Sequence, residues 1–371
     1  MRFTNDSHLP AKWTSGYDRD ARELLIVVVK ATYELPASGD EPRLARQQVP
    51  LVEADEFTGE PGLSAPRYET DFAHRKPACD VLINGQAHAP PGRRVSQLAV
   101  GLQVGSLVKQ FNVVGDRRWH KRILGVVTAT SPEPFETMPV GYDHAWGGTD
   151  RTEEASGGEV ASVLANPVGR GFMKHTREID GLPLPNTEEI GRSVTDHHGD
   201  YLPMAFSPVG RNWFPRHRWA GTYDDAWIEE QAPFWPDDFD DRYFHAAPAD
   251  QVIPHPVGGE QVVLRNLTPD GLRAFRLPVH PMPVLFAPYR GRDLRRDAQI
   301  DTIVIEPELN RFCLTWRVTL PLGKSVFDVK EVIVGEKSDD WHRARRFPGK
   351  TYHRSLADAV AARRSARRER P

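Results

Sequence analysis

The run FCLTWRVTL, residues 312 to 320, alternates apolar and polar side chains without a fault. Phe312, Leu314, Trp316, Val318 and Leu320 fall on one face, and a period of two is the signature of a β-strand. Similar text recurs at both ends of the chain. In LLIVVVKATYEL (24–35), Ala31, Tyr33 and Leu35 oppose Lys30, Thr32 and Glu34, which predicts a half-buried strand. In SLVKQFNVVG (106–115), Leu107, Lys109, Phe111 and Val113 oppose Val108, Gln110, Asn112 and Val114. CDVLING (79–85) reads as another strand, and HAPPGRR (88–94) as a turn. VVLRNLTPDGLRAFRLP (262–278) reads as a hairpin whose turn torsions come from Pro269 and Gly271, and Val326 to Val334 as a further strand. Such runs constrain the chain to a mainly β fold.

Punctuation supports this. The 371 residues include 29 glycines and 32 prolines, about a sixth of the chain where 12% or so is usual. That is too little for disorder and too much for a helical protein. The expected fold is β-rich α+β: antiparallel sheet layers or a sandwich, with long irregular loops and a few short helices.

Four regions follow from the change of periodicity. Residues 1–130 form an N-terminal β region and 251–350 a C-terminal one. Residues 131–250 are irregular and rich in proline, glycine and tryptophan. A basic tail spans 351–371. The four are expected to make one compact unit, with the middle region draped over the sheets. Two short helices are predicted there. GEVASVLANP (158–167) places Val160, Val163 and Leu164 on one side, and TYDDAWIEEQAP (222–233) opens with Thr222 and Asp225 at capping-box spacing and closes at Pro233. In the tail, Ser355 and Asp358 have the same spacing, with Arg363, Arg364, Arg367 and Arg368 behind them. A solvated chain end is the plainest reading of these arginines.

A formal net charge of −3 argues against nucleic-acid binding through bulk positive charge. The first apolar run is short and ends at Lys30, so no signal peptide or membrane span is visible, and a cytoplasmic protein is expected. Cys79 and Cys313, the two cysteines, sit in strand-like text and read as buried thiols.

WPDDFDDRYFHAAPADQ (235–251) holds four aspartates, Asp237, Asp238, Asp240 and Asp241. A calcium loop fails, because Arg242 and Tyr243 occupy the fifth and sixth positions counted from Asp238. A glycosidase pair needs carboxyls facing each other across a sugar, and nothing selects these residues for that role. Capping, turning and pairing with Arg211, Arg216, Arg218 or Arg242 account for them. Fourteen histidines raise the question of zinc, yet neither HExxH nor CxxC occurs. His197 and His198 are the best fragment, and adjacent residues on a strand point apart. GRGFMK (169–174) lacks the context of a phosphate loop and reads as a tight turn. No cofactor or metal is implied. What remains is a crowd of interface-type residues in irregular text: Trp146, Arg170, Trp213, Trp219, Trp227 and Trp235. Such rings serve either as protein-binding anchors or as filling for a loop-rich core.

An ordered set of motifs carries a resemblance. KATYEL (30–35), DFAHRKPACDVLINGQAHAP (71–90), GYDHAWGG (141–148), NPVGRGF (166–172), LPNTE (184–188), AGTYDDAW (220–227) and DFDDRYFHAAPADQ (238–251) occur in that order. From about residue 15 to 340 the chain resembles a bacterial family first defined as a domain of unknown function. Members of that family accompany type VI secretion systems as effector adaptors or chaperones. The resemblance implies a non-enzymatic protein with no catalytic residues. It would bind a toxic effector, such as one with a PAAR-type tip, and help load it onto the VgrG spike. Two other functions stay open on sequence: a carbohydrate-active hydrolase using Asp237–Asp241, and a structural component of the secretion apparatus.

Overall fold

The computed structural model describes residues 1–346 apart from Lys324, together with Ala357 and Val360. The strand content is 37% and the helix content 12%, so the fold is mainly β. The predicted tail helix lies outside the described residues, save that Ala357 and Val360 are helical. Among the described residues, no helix is long and apolar enough to cross a membrane.

Three sheets organise the molecule. The largest has seven strands. Its order is Val252–Ile253, Cys79–Ile83, Gln299–Glu306, Arg311–Pro321, Glu23–Glu34 and Ala11–Tyr17, with Arg43–Leu44 added beside Glu23–Glu34. Cys79–Ile83 and Gln299–Glu306 run parallel, and the other pairs are antiparallel. The second sheet has five antiparallel strands: Thr187–Glu188, Leu107–Val114, Gln97–Val104, Gln261–Arg265 and Leu272–Arg276. The third pairs Arg2–Asn5 in parallel with Val329–Val334, then adds Pro283–Pro288 and Leu294–Asp297. Strands from 1–130 and from 251–350 therefore share each of these sheets.

The alternation decides which faces meet. Phe312, Leu314 and Trp316 stand opposite Tyr33, Ala31 and Val29. They join Phe111, Val113, Val262, Phe275, Phe286 and Val332 in one core that all three sheets line. Phe312 bridges two sheets by stacking on Tyr33 at 5.1 Å and meeting Phe275 at 5.3 Å. Lys109 is the exception on its strand's inward face. Its ammonium is buried and donates to Gln251 and Asp250 at 2.7 and 3.1 Å.

Four sequence expectations need correction. Glu23–Glu34 is buried on both faces rather than one. Leu24, Ile26 and Val28 pack under Leu51 and Phe72, and Lys30 is neutralised by Asp71 at 2.8 Å. Gln48 acts there as a surrogate strand, exchanging hydrogen bonds with both the N–H and the carbonyl of Thr32. Second, 158–167 is not a helix. Ala161–Ser162 forms a short strand with Thr149–Asp150, Ser162 meets the Thr149 hydroxyl, and Leu164 stays exposed because nothing covers it. Third, the helix at 222–233 spans Asp225–Glu230 and is capped by Asp224, which accepts from Trp227 N–H. Thr222 bonds to Asp238 instead. Fourth, Asp339–Arg346 is helical within a region read as strands. The 262–278 hairpin forms as expected, and Cys79 and Cys313 are buried free thiols.

Candidate functional site

Three of the quoted motifs fold into one junction. Trp146–Gly147 of GYDHAWGG pairs in parallel with Arg170–Gly171 of NPVGRGF. Gly147 has φ +152°, and an added Cβ would sit 2.1 Å from the Asn166 carbonyl oxygen, so only a residue without a side chain allows this approach. Asn166 donates from Nδ2 to the carbonyls of Tyr142 and Trp146 at 2.9 and 3.0 Å. Asn186 of LPNTE closes the junction. Its Oδ1 receives Arg170 Nη1 at 3.2 Å and faces His144 Nδ1 at 3.1 Å. Its Nδ2 donates to Asp116 at 2.9 Å and to the Val114 carbonyl at 3.2 Å. Burial and the Arg170 guanidinium hold His144 below the usual histidine range, which suits a neutral ring donating to Asn186.

Beside the junction lies a cleft of about 370 Å³, lined among others by Ile83, Asp143, His144, Glu306, Glu308 and Leu309. Its carboxylates are occupied. Glu306 takes Tyr68 and Arg311, Glu308 lies 3.0 Å from His88, and Asp143 accepts from Thr58 and Ala65. Burial and Glu306 push the Tyr68 hydroxyl up to about 12, so it donates and stays neutral.

The aspartates of 237–241 hold a second feature together. Asp238 accepts the Thr222 N–H and hydroxyl at 2.9 and 2.8 Å. Asp240 binds Arg242 through its side chain and backbone, and Asp241 pairs with Arg75. The Asp237 carbonyl accepts from Arg19. The hydrogen bonds from Thr222 and from Arg242 lower the Asp238 and Asp240 pKa values respectively. A glycosidase acid is tuned the opposite way. Of the four arginines expected to pair with these aspartates, Arg242 does so, and Arg216 reaches the stretch through the Tyr243 carbonyl instead. Arg211 and Arg216 go to Asp55 and Glu69, and Arg218 lies over Phe214 and Trp219.

These contacts fasten an aromatic lobe. Trp235 stacks on buried Phe239 at 4.2 Å and donates Nε1–H to the Tyr17 carbonyl at 2.9 Å. Trp227 donates to the Phe234 carbonyl and meets Tyr223 edge-on. Arg218 and Arg242 flank Trp219. Outward, the lobe leaves Phe214, Tyr223 and Ile228 at 42, 50 and 61% exposure, and Tyr17, edge-on to Phe234, at 45%. The six candidate binding residues thus separate. Trp219, Trp227 and Trp235 belong to the lobe and are partly exposed. Trp146 and Trp213 are interior, packed against Tyr201 and Tyr142. Arg170 is half-buried and spends its donors on the junction.

A family model described as "Uncharacterized protein conserved in bacteria (DUF2169)" matches residues 20–317. The chain belongs to this family. No match was found among curated proteins or among solved structures. The whole junction and the lobe from Phe214 to Phe239 lie inside the DUF2169 match. Asn166 and Asn186 were missed by sequence reasoning, which searched for ionisable constellations. Their signal is a lone asparagine beside proline in otherwise apolar text.

His197 and His198 also depart from expectation. The backbone around them turns rather than extending as a strand, so the two rings converge. Their Nδ1 atoms lie 3.2 Å apart, with Asp196 alongside.

Proposed function

We propose that this DUF2169 protein is a non-enzymatic adaptor whose 214–239 lobe grips a client polypeptide. The observation that carries the reading is the lobe itself. Phe214, Tyr223 and Ile228 are exposed on a segment held in place by the hydrogen bonds of Trp227 and Trp235 and by the paired aspartates. Large exposed apolar side chains on a fixed scaffold suit recognition, because aromatic rings bury much area at little entropic cost. The ordered motifs favour a type VI secretion effector as the client, with delivery to a VgrG/PAAR spike, and a place of work in the bacterial cytoplasm. Affinity should be moderate, since a delivered client must leave.

The test is co-expression with each effector and spike protein encoded beside the gene, followed by affinity measurement on the pair that co-purifies. Substituting Tyr223→Ser and Ile228→Ser should weaken that pair by ~10-fold or more, with the melting curve of the free protein nearly unchanged. An unaltered affinity removes the lobe from the interface. Loss of a hydrolytic activity in Asp238→Asn with Asp240→Asn, in place of lost binding, would favour a hydrolase. Recovery of the protein in the fired particle would make it a structural component.

A further inference from the structure

The turn at 195–199 gathers donor atoms of the kind that hold transition metals. Asp196 Oδ1 accepts the His198 backbone N–H at 3.1 Å, and His198 Nδ1 lies at 3.1 Å from the same oxygen. His197 Nδ1 is 3.2 Å from His198 Nδ1 and 2.7 Å from the Met173 carbonyl oxygen. One ligand atom from each of the three side chains lies within 4.8 Å of the others. The turn is built before any ion arrives. Tyr201 Oη accepts the N–H groups of Thr195 and Asp196, Met173 N–H bonds to the His197 carbonyl, and the His197 ring stands edge-on to buried Trp119.

A carbonyl oxygen only accepts, so the Met173 contact places a proton on His197 Nδ1. The Nδ1 atoms of His197 and His198 and Oδ1 of Asp196 follow one another at 3.2 and 3.1 Å. A cation that displaces the His197 Nδ1 proton would find three lone-pair atoms gathered on one turn. In a tetrahedral zinc site, bonds of about 2.0–2.2 Å place neighbouring ligands about 3.3–3.6 Å apart, close to the 3.2 and 3.1 Å between His197 and His198 and between His198 and Asp196.

We propose that Asp196, His197 and His198, with the Met173 carbonyl, form a site for a borderline divalent transition-metal ion such as Zn²⁺, Co²⁺ or Ni²⁺. Two imidazoles with one carboxylate suit these ions rather than Ca²⁺ or Mg²⁺, which prefer oxygen alone. His198 is exposed, so the ion enters from solvent and water completes its shell. The ion would pin the 173 loop to the 196 turn, a role independent of client binding by the lobe.

The test uses untagged full-length protein, titrated calorimetrically with Zn²⁺ and followed with Co²⁺ by visible absorption. One equivalent should bind, with a Co²⁺ spectrum showing nitrogen ligation. His198→Ala and Asp196→Asn, both at exposed side chains, should each weaken binding by ~10-fold or more, while His217→Ala, at an exposed histidine of the 214–239 lobe, should not. Circular dichroism checks that the variants are folded. Absence of a stoichiometric wild-type event, or equal affinity in His198→Ala and Asp196→Asn, overturns the proposal.

Discussion

Asn186 shows how much a single uncharged side chain can carry. It is fully buried and has four partners: Arg170, His144, Asp116 and the Val114 carbonyl. Removing it strands several buried polar groups, each worth ~1–3 kcal/mol when left unpaired. Asn186→Ala should therefore lower the urea-unfolding free energy by about 3 kcal/mol. Asn186→Asp should be no better, since its second oxygen would face Asp116 where a donor now sits. Asp80 makes the corresponding case for charge. Burial alone would raise its pKa, but Lys76 and His245 at 2.7 and 2.6 Å outweigh that and lower it to about 2. A depressed carboxylate contributes stability that is present above its unfolded pKa of about 3.9 and is lost as pH falls through the folded value. Acid titration of the folded protein should show this group's share, on the order of 2 kcal/mol, disappearing between about pH 4 and pH 2. Asp80→Asn should lack that part of the slope. It should also cost roughly 3–5 kcal/mol at neutral pH by leaving Lys76 unpaired.

Strands were legible in the sequence because their alternation is enforced by a core. Leu314 faces that core and Val108 faces water. Leu314→Ala should cost ~2–5 kcal/mol and Val108→Ala within about 0.5 kcal/mol by the same denaturant measurement. Double burial of Glu23–Glu34 was harder to see, because the covering layer comes from Gln48, Leu51 and Asp71, which follow no period. Short helices were harder still. The apolar spacing of Val160, Val163 and Leu164 fits a helix, but only Val163 packs against the Trp119–Trp146 cluster while Val160 and Leu164 face water, and Thr149 bonds the Ser162 hydroxyl and the Pro167 carbonyl. The helix at Asp225–Glu230 exists, yet its cap moved because Asp238 engages Thr222 from sixteen positions away. Convergence of His197 and His198 depends on a turn fixed by Tyr201, which spacing along a strand does not convey.

At the scale of the molecule, the sheets interleave residues from both halves of the chain. Unfolding should accordingly be one cooperative transition, with fluorescence and far-ultraviolet dichroism coinciding. Fragments 1–130 and 131–371, each expressed alone, should be insoluble, which solubility after cell lysis would check. Fold class was readable from periodicity and turn composition, whereas strand order was not, since pairing partners are remote in sequence. The central pair of the largest sheet illustrates this: Tyr33 opposes Phe312, 279 positions later. That distance governs how the protein is born. The ribosome emits LLIVVV early, with the Ala11–Tyr17 strand for one of its edges already made, but the Arg311–Pro321 strand for the other edge emerges much later. At roughly 5–20 residues per second the delay is on the order of tens of seconds. During that interval this water-averse segment of the nascent polypeptide has one edge and both faces incompletely covered. The chain would itself need a guardian in infancy, and its yield should fall in cells depleted of ribosome-associated chaperones.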